Sequence, residues 1–144
     1  MDESISAIIA IIGVVVGALI TWFVSYQNIK KDLRLEALKF EYSIFEKINS
    51  EYSNIRKPKN ETELIDCLFE SFDLFDKIKP FIKDTDRANI LNMKNKIDEL
   101  MNSKKYDEAI KLHLQFKEEL KKLLDELRCK NIDMIRHEYK LSLQ

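Results

Sequence analysis

The side chains able to do chemistry are few in this chain: two histidines, His113 and His137, and two cysteines, Cys67 and Cys129. Helical proteins that hold a pair of metals use Glu-x-x-His on facing helices. Here Ile110 stands three residues before His113 and Met134 three before His137. Asp133 and His137 share a helical face four residues apart, but two ligands do not complete a metal site. His113 falls on an apolar stripe, where a hydrogen-bonded core or boundary histidine is expected. The cysteines are isolated, with no C-x-x-C spacing, and read as inert thiols. No Ser/His/Asp or Cys/His set can be assembled, so no catalytic residue, metal or cofactor is assigned and the chain is expected not to be an enzyme.

Glycine usage narrows the field further. Both glycines, Gly13 and Gly17, lie near the N-terminus. Loops that cradle phosphate need glycine for close backbone approach and positive φ, so a P-loop or a dinucleotide fingerprint is excluded. The G-x-S-x-G nucleophile elbow is absent for the same reason.

The stretch that must position everything else is residues 5–26. Between Glu3 and Lys30 only Tyr26 is ionisable, and at about 1.5 Å per residue these residues make a helix of roughly 33 Å, against a hydrocarbon layer of about 30 Å. A transmembrane helix is expected. A cleaved signal peptide fits worse, since the segment opens with acids, runs long and lacks a small-x-small cleavage site. Lys30, Lys31, Arg34 and Lys39 flank the span on its C-terminal side, which predicts an N-terminus outside and a C-terminal domain in the cytoplasm, at the inner membrane. Trp22 and Tyr26 fall at headgroup level. Ala10, Gly13, Gly17, Thr21 and Ser25 form a ridge of small residues suited to close packing of two such helices.

All 24 Lys and Arg, and all acids but Asp2 and Glu3, follow the span. High charge density with near-zero balance reads as solvated helical faces and argues against a nucleic-acid duplex as partner. The excess of Lys over Arg, with abundant Asn and Ile, suggests an A/T-rich bacterial or phage genome.

Periodicity predicts four helices after or within this frame. The first continues over 27–56 with two apolar stripes, one through Ile29, Leu33, Ala37, Phe40, Ile44, Ile48, Tyr52 and Ile55, the other through Leu35, Leu38, Tyr42 and Phe45, and so asks for more than one neighbour. Pro58 stops it. Asn60 and Glu63 form a capping box for the second, whose Phe69, Phe72, Phe75 and, past it, Phe81 are expected at the centre of a core. Asp84, Thr85 or Asp86 caps a third, running from about Asp86 to Met101. Asn102 and Ser103 cap a fourth from Lys105 to about Lys140, with apolar residues near every 3.5 positions, a coiled-coil spacing. The run Lys105-Tyr-Asp-Glu-Ala-Ile110 resembles the start of a tetratricopeptide helix, but it occurs once and carries no family assignment.

The expected fold is all-α: a single-pass anchor over 1–28 and a cytoplasmic antiparallel bundle of about four helices over 29–144. Its last helix would return Arg128, Lys130, Arg136 and Lys140 to the bilayer surface beside Lys30, Lys31 and Arg34, as a basic collar for lipid or a small anionic ligand. The expected function is a self-associating, membrane-anchored interaction or scaffold module with an unidentified protein partner. The alternative is a membrane-perturbing effector of the phage-defence or toxin-like kind, whose cytoplasmic domain senses a signal and rearranges the anchors.

Overall fold

With no glycine after Gly17 and no proline before Pro58, nothing in the sequence interrupts the first helix for forty residues. The computed structural model, which describes residues 2–143, accordingly contains one uninterrupted helix α1 (Asp2–Asn54), followed by α2 (Glu61–Ile78), a 3-10 turn (Lys79–Phe81), α3 (Asp84–Asn102) and α4 (Tyr106–Ser142). No strand occurs among the described residues. α1 is long and apolar enough to cross a membrane, and none of its apolar part is buried. The apolar segment and the first amphipathic helix are thus a single rod of roughly 80 Å.

The helix ends follow local chemistry. Asn60 Oδ1 accepts from the Glu63 N–H at 2.9 Å, and Glu63 Oε2 accepts in return from the Lys59 N–H at 2.8 Å, one residue before the cap. α3 begins at Asp84, earlier than the spacing suggested. Its cap is Lys83, which makes no side-chain capping bond, and Asp84 and Asp86 lie in the first turn, where their charge favours the positive end of the helix dipole. Asn102 and Ser103 do not cap α4. They close α3, through Lys104 N–H to Met101 C=O at 3.1 Å and Lys105 N–H to Leu100 C=O at 2.9 Å. This is a Schellman closure with Lys104 at φ 55°, a place usually taken by glycine.

α4 is the element against which α1, α2 and α3 all pack. Partners met in order along α1 occur in reverse order along α4: Arg34 with Glu138, Glu41 with Asn131, Glu46 with Arg128, Asn49 with Lys121. The core draws on Ile44 to Tyr52 of α1 with Ile55 just past its end, and Ala109 to Leu127 of α4, closed by Leu64, Phe75, Ile78, Ile90 and Ile97 from α2 and α3. Phe72 meets Phe116 edge-on at 5.4 Å, and Phe45 meets Phe81 at 5.0 Å. Phe69 departs from expectation. It is 71% exposed because it lies a quarter-turn past Leu68, off the side of α2 that faces α4, beside a shallow groove with Lys94, Asp98 and Met101. Leu91 of α3 is also exposed.

We call the part of the molecule around this core the head and the part formed by Arg34–Glu41 of α1 and the end of α4 the stem. In the stem the side-chain partners of Arg34, Lys39 and Glu41 all come from α4.

Replacing Lys104→Gly removes the left-handed strain of a side chain at positive φ. The expected result is a gain of about 1 kcal/mol in denaturant unfolding, whereas Asn60→Ala costs about 1 kcal/mol by orphaning the first turn of α2.

Candidate functional site

Two regions hold polar side chains in arrangements that the core alone does not require. One is inside the head. The other is the stem with the flank of the apolar segment.

In the head, His113 is fully buried and its Nε2 lies 2.8 Å from Ser71 Oγ, while Nδ1 has no hydrogen-bond partner. Burial first and the nearby Lys117 ammonium second push its pKa from 6.5 down to about 4, with the Cys67 backbone opposing weakly, so the ring is neutral at pH 7. Lys117 donates to the Ile55 carbonyl at 2.9 Å just past the end of α1 and lies 5.2 Å from the Tyr52 ring centroid. Burial lowers its pKa. Cys67 is buried and donates to the Arg56 carbonyl, and burial raises the thiol pKa, which keeps it protonated and unreactive. Cys129 is exposed. These bonds tie α1, α2 and α4 together where α1 ends. They form a polar clasp, and no nucleophile in it is activated.

The stem is zipped by charge. Arg34 Nε pairs with Glu138 at 2.9 Å, and Glu138 is 7% exposed. Asn131, buried, donates to Glu41 Oε2 at 3.3 Å while its own Oδ1 is unpaired. Where the stem joins the head, Arg128 Nε donates to Glu46 at 2.8 Å, and this bond raises the guanidinium pKa further. The sequence singled out Arg34 and Arg128 as bases for an anionic ligand. The structure engages Arg34 with Glu138, and turns Arg128 into the α1–α4 interface. Lys30, Lys31, Lys130, Arg136 and Lys140 are exposed, with Arg136 3.8 Å from Asp133. Since Arg34 meets Glu138, Lys140 stands near the level of Lys30 and Lys31, and Arg136 about one turn farther from the apolar segment. Lys130, Asp133 and His137 line an open depression of about 560 Å³ with Arg34, Cys129 and Met134. Among the described residues no three of His, Cys, Asp and Glu converge as a metal site would need.

In the apolar half of α1, Ala10, Gly13, Gly17, Thr21 and Ser25 are exposed. A Cβ added at Gly13 or Gly17 would meet nothing within 4 Å, and Thr21 Oγ1 donates to the Gly17 carbonyl at 2.9 Å. Nothing inside the chain requires glycine at either place. Trp22 and Tyr26 stack at 5.9 Å with 18° between their planes.

Sequence reasoning missed the carboxylates and amide that pair α1 with α4: Glu41, Glu46, Asn131 and Glu138. The signal was present, because the α4 seam Phe116, Leu120, Leu123, Leu127 continues at the same spacing through Asn131, Met134 and Glu138. Compared with protein-family models, curated proteins and solved structures, the chain matches none.

Two outcomes follow from this geometry. A histidine whose folded pKa lies below its unfolded value contributes stability that is present above pH 6.5 and lost as pH falls toward 4, here on the order of 3 kcal/mol. The pair His113→Leu with Ser71→Ala should therefore flatten the unfolding free energy across that window relative to wild type. Arg34→Ala leaves the Glu138 carboxylate without its cation and should raise amide exchange over residues 131–142 while exchange in α2 and α3 stays unchanged.

Proposed function

We propose that the protein is a single-pass membrane protein whose residues beyond the span form a cytoplasmic antiparallel helical bundle acting as an interaction module, associating with further copies of itself. The observation that carries this reading is the continuity of α1. Its first half is apolar and wholly exposed, its second half is built into the head, and no hinge residue separates them. An apolar surface of this length without a protein partner fits hydrocarbon as its solvent. The basic residues just past Tyr26 favour the cytoplasmic side for the head. Lys30, Lys31, Arg136 and Lys140 would then face anionic headgroups, each worth about 1 kcal/mol within a Debye length of the surface. The ridge through Gly13 and Gly17 supplies a face for close helix packing, and its free surroundings leave room for a second backbone. No catalytic step enters this reading.

A second reading rests on the same rod. A stem held by ionic pairs with little apolar packing beyond buried Leu38 can open and close at modest cost, and a rigid helix carries that change into the lipid. The head would then be the sensing part of a membrane-perturbing effector, of the kind used in phage defence or by toxins.

Alkaline carbonate should leave the full-length protein in the membrane pellet and detergent should release it. Recovery in the carbonate supernatant overturns both readings. A potential-sensitive dye separates them: steady polarisation on expression and on phage challenge supports the module, whereas depolarisation that disappears in Gly13→Leu/Gly17→Leu supports the effector.

A further inference from the structure

The side of α1 turned away from α4 is unpartnered where the helix leaves its apolar half. Trp22, Tyr26, Ile29, Leu33 and Phe40 are 66%, 51%, 59%, 61% and 67% exposed. Their spacing alternates between four and three residues, with Glu36 filling the place between Leu33 and Phe40, which is the seam of a heptad repeat. Beyond Tyr26 this pattern is not automatic, because Lys30, Lys31, Asp32, Arg34 and Lys39 occupy the positions between. On the opposite side Leu38 and Phe45 are buried. Farther along, Ile44 and Ile48 of the first stripe are packed in the head, but before them, in the stem, α4 covers one side of α1 and leaves Ile29, Leu33 and Phe40 outside.

We propose that the exposed seam pairs with the same seam of a second copy in a parallel coiled coil, with the two α4 helices on the outside. The proposal rests on the membrane-anchored reading and names the cytoplasmic contact through which copies associate. A second copy is the occupant that fits for two reasons. Anchored in the same bilayer, it enters at the same height, so Tyr26, Ile29, Leu33 and Phe40 meet their own counterparts without any search for register. In that parallel register the flanking positions pair Ser25 with Lys30, Asp32 with Ala37 and Lys39 with Ile44, so no like charges confront each other. Glu36 alone opposes the contact, since it brings two carboxylates into one layer. It makes the pairing weaker than the seam would otherwise allow. Gly13 and Gly17 point to the other side of the rod from Trp22, at about 100° per residue, so the ridge cannot substitute for the seam.

The test uses the full-length protein in phosphatidylcholine/phosphatidylglycerol vesicles, with Cys129→Ser and buried Cys67 retained. Single cysteines are placed on the seam (Leu33→Cys, Phe40→Cys) or off it (Gln27→Cys, Lys31→Cys), oxidised, and run on non-reducing gels. The expected result is disulfide dimers at Leu33 and Phe40 and monomer at Gln27 and Lys31. Glu36→Leu should raise the Leu33 dimer several-fold, and Gly13→Leu/Gly17→Leu should leave it in place. Equal cross-linking at all four positions, none at any, or no response to Glu36→Leu overturns the seam. Loss of the Leu33 dimer in the glycine variant also overturns it, by moving association to the ridge. Protein that stays in the carbonate pellet yet fails to cross-link sinks the seam alone, while release from the membrane sinks the anchored reading with it.

Discussion

The antiparallel contact between α1 and α4 is the constraint from which the rest of the molecule follows. α1 is a rod with no internal stop, so its direction is set from its first turn, and only a second long helix can give it a packed side beyond the apolar segment. α2 and α3 are too short to do so. They fill the space around the far end of the pair, where Phe116, Leu120 and Leu124 of α4, Phe45 and Ile48 of α1 and Ile55 just past it bury the apolar surface that stabilises the head.

Along this single contact the chemistry changes. Near the far end it is apolar, edged by Lys117 and Lys121 over Tyr52. Toward the stem it passes to Arg128 with Glu46, Asn131 with Glu41 and Arg34 with Glu138. Apolar packing is non-directional and tolerates small displacements, while directional polar pairs fix which turn meets which. The head holds the main apolar core, and the stem, with Leu38 buried beside its polar pairs, supplies register.

The histidine clasp belongs to the same division. Ser71, His113 and Lys117 sit where α1 ends and the chain must turn, a place where backbone carbonyls lack helical partners. Lys117 satisfies the carbonyl of Ile55, and His113 satisfies Ser71, at the cost of an unpaired ring nitrogen. In chemical type this resembles a site, but its pKa shifts run toward neutral, unreactive groups. Its consequence is acid sensitivity of the head.

Much of this was readable in the residues themselves. The apolar run over 5–26, the stop at Pro58, the box of Asn60 and Glu63, and the coiled-coil spacing of α4 are local properties, set by backbone sterics, capping and side-chain period, and they determine which segments are helical and where α2 starts. What tertiary structure decided is which side of each helix is used. The two apolar stripes of α1 are nearly equal in sequence, yet Leu38 and Phe45 of one are buried, while the other leaves Leu33 and Phe40 outside and goes inside only from Ile44 and Ile48 on. Phe69 is as apolar as Phe75, yet it faces solvent. Arg128 and Lys130 are neighbours of equal charge, yet only the first is drawn into the interface with Glu46. Such choices depend on crossing geometry between elements far apart in the chain. Local periodicity carries no information about that geometry, because one helix can present the same stripe to any neighbour whose surface fits it.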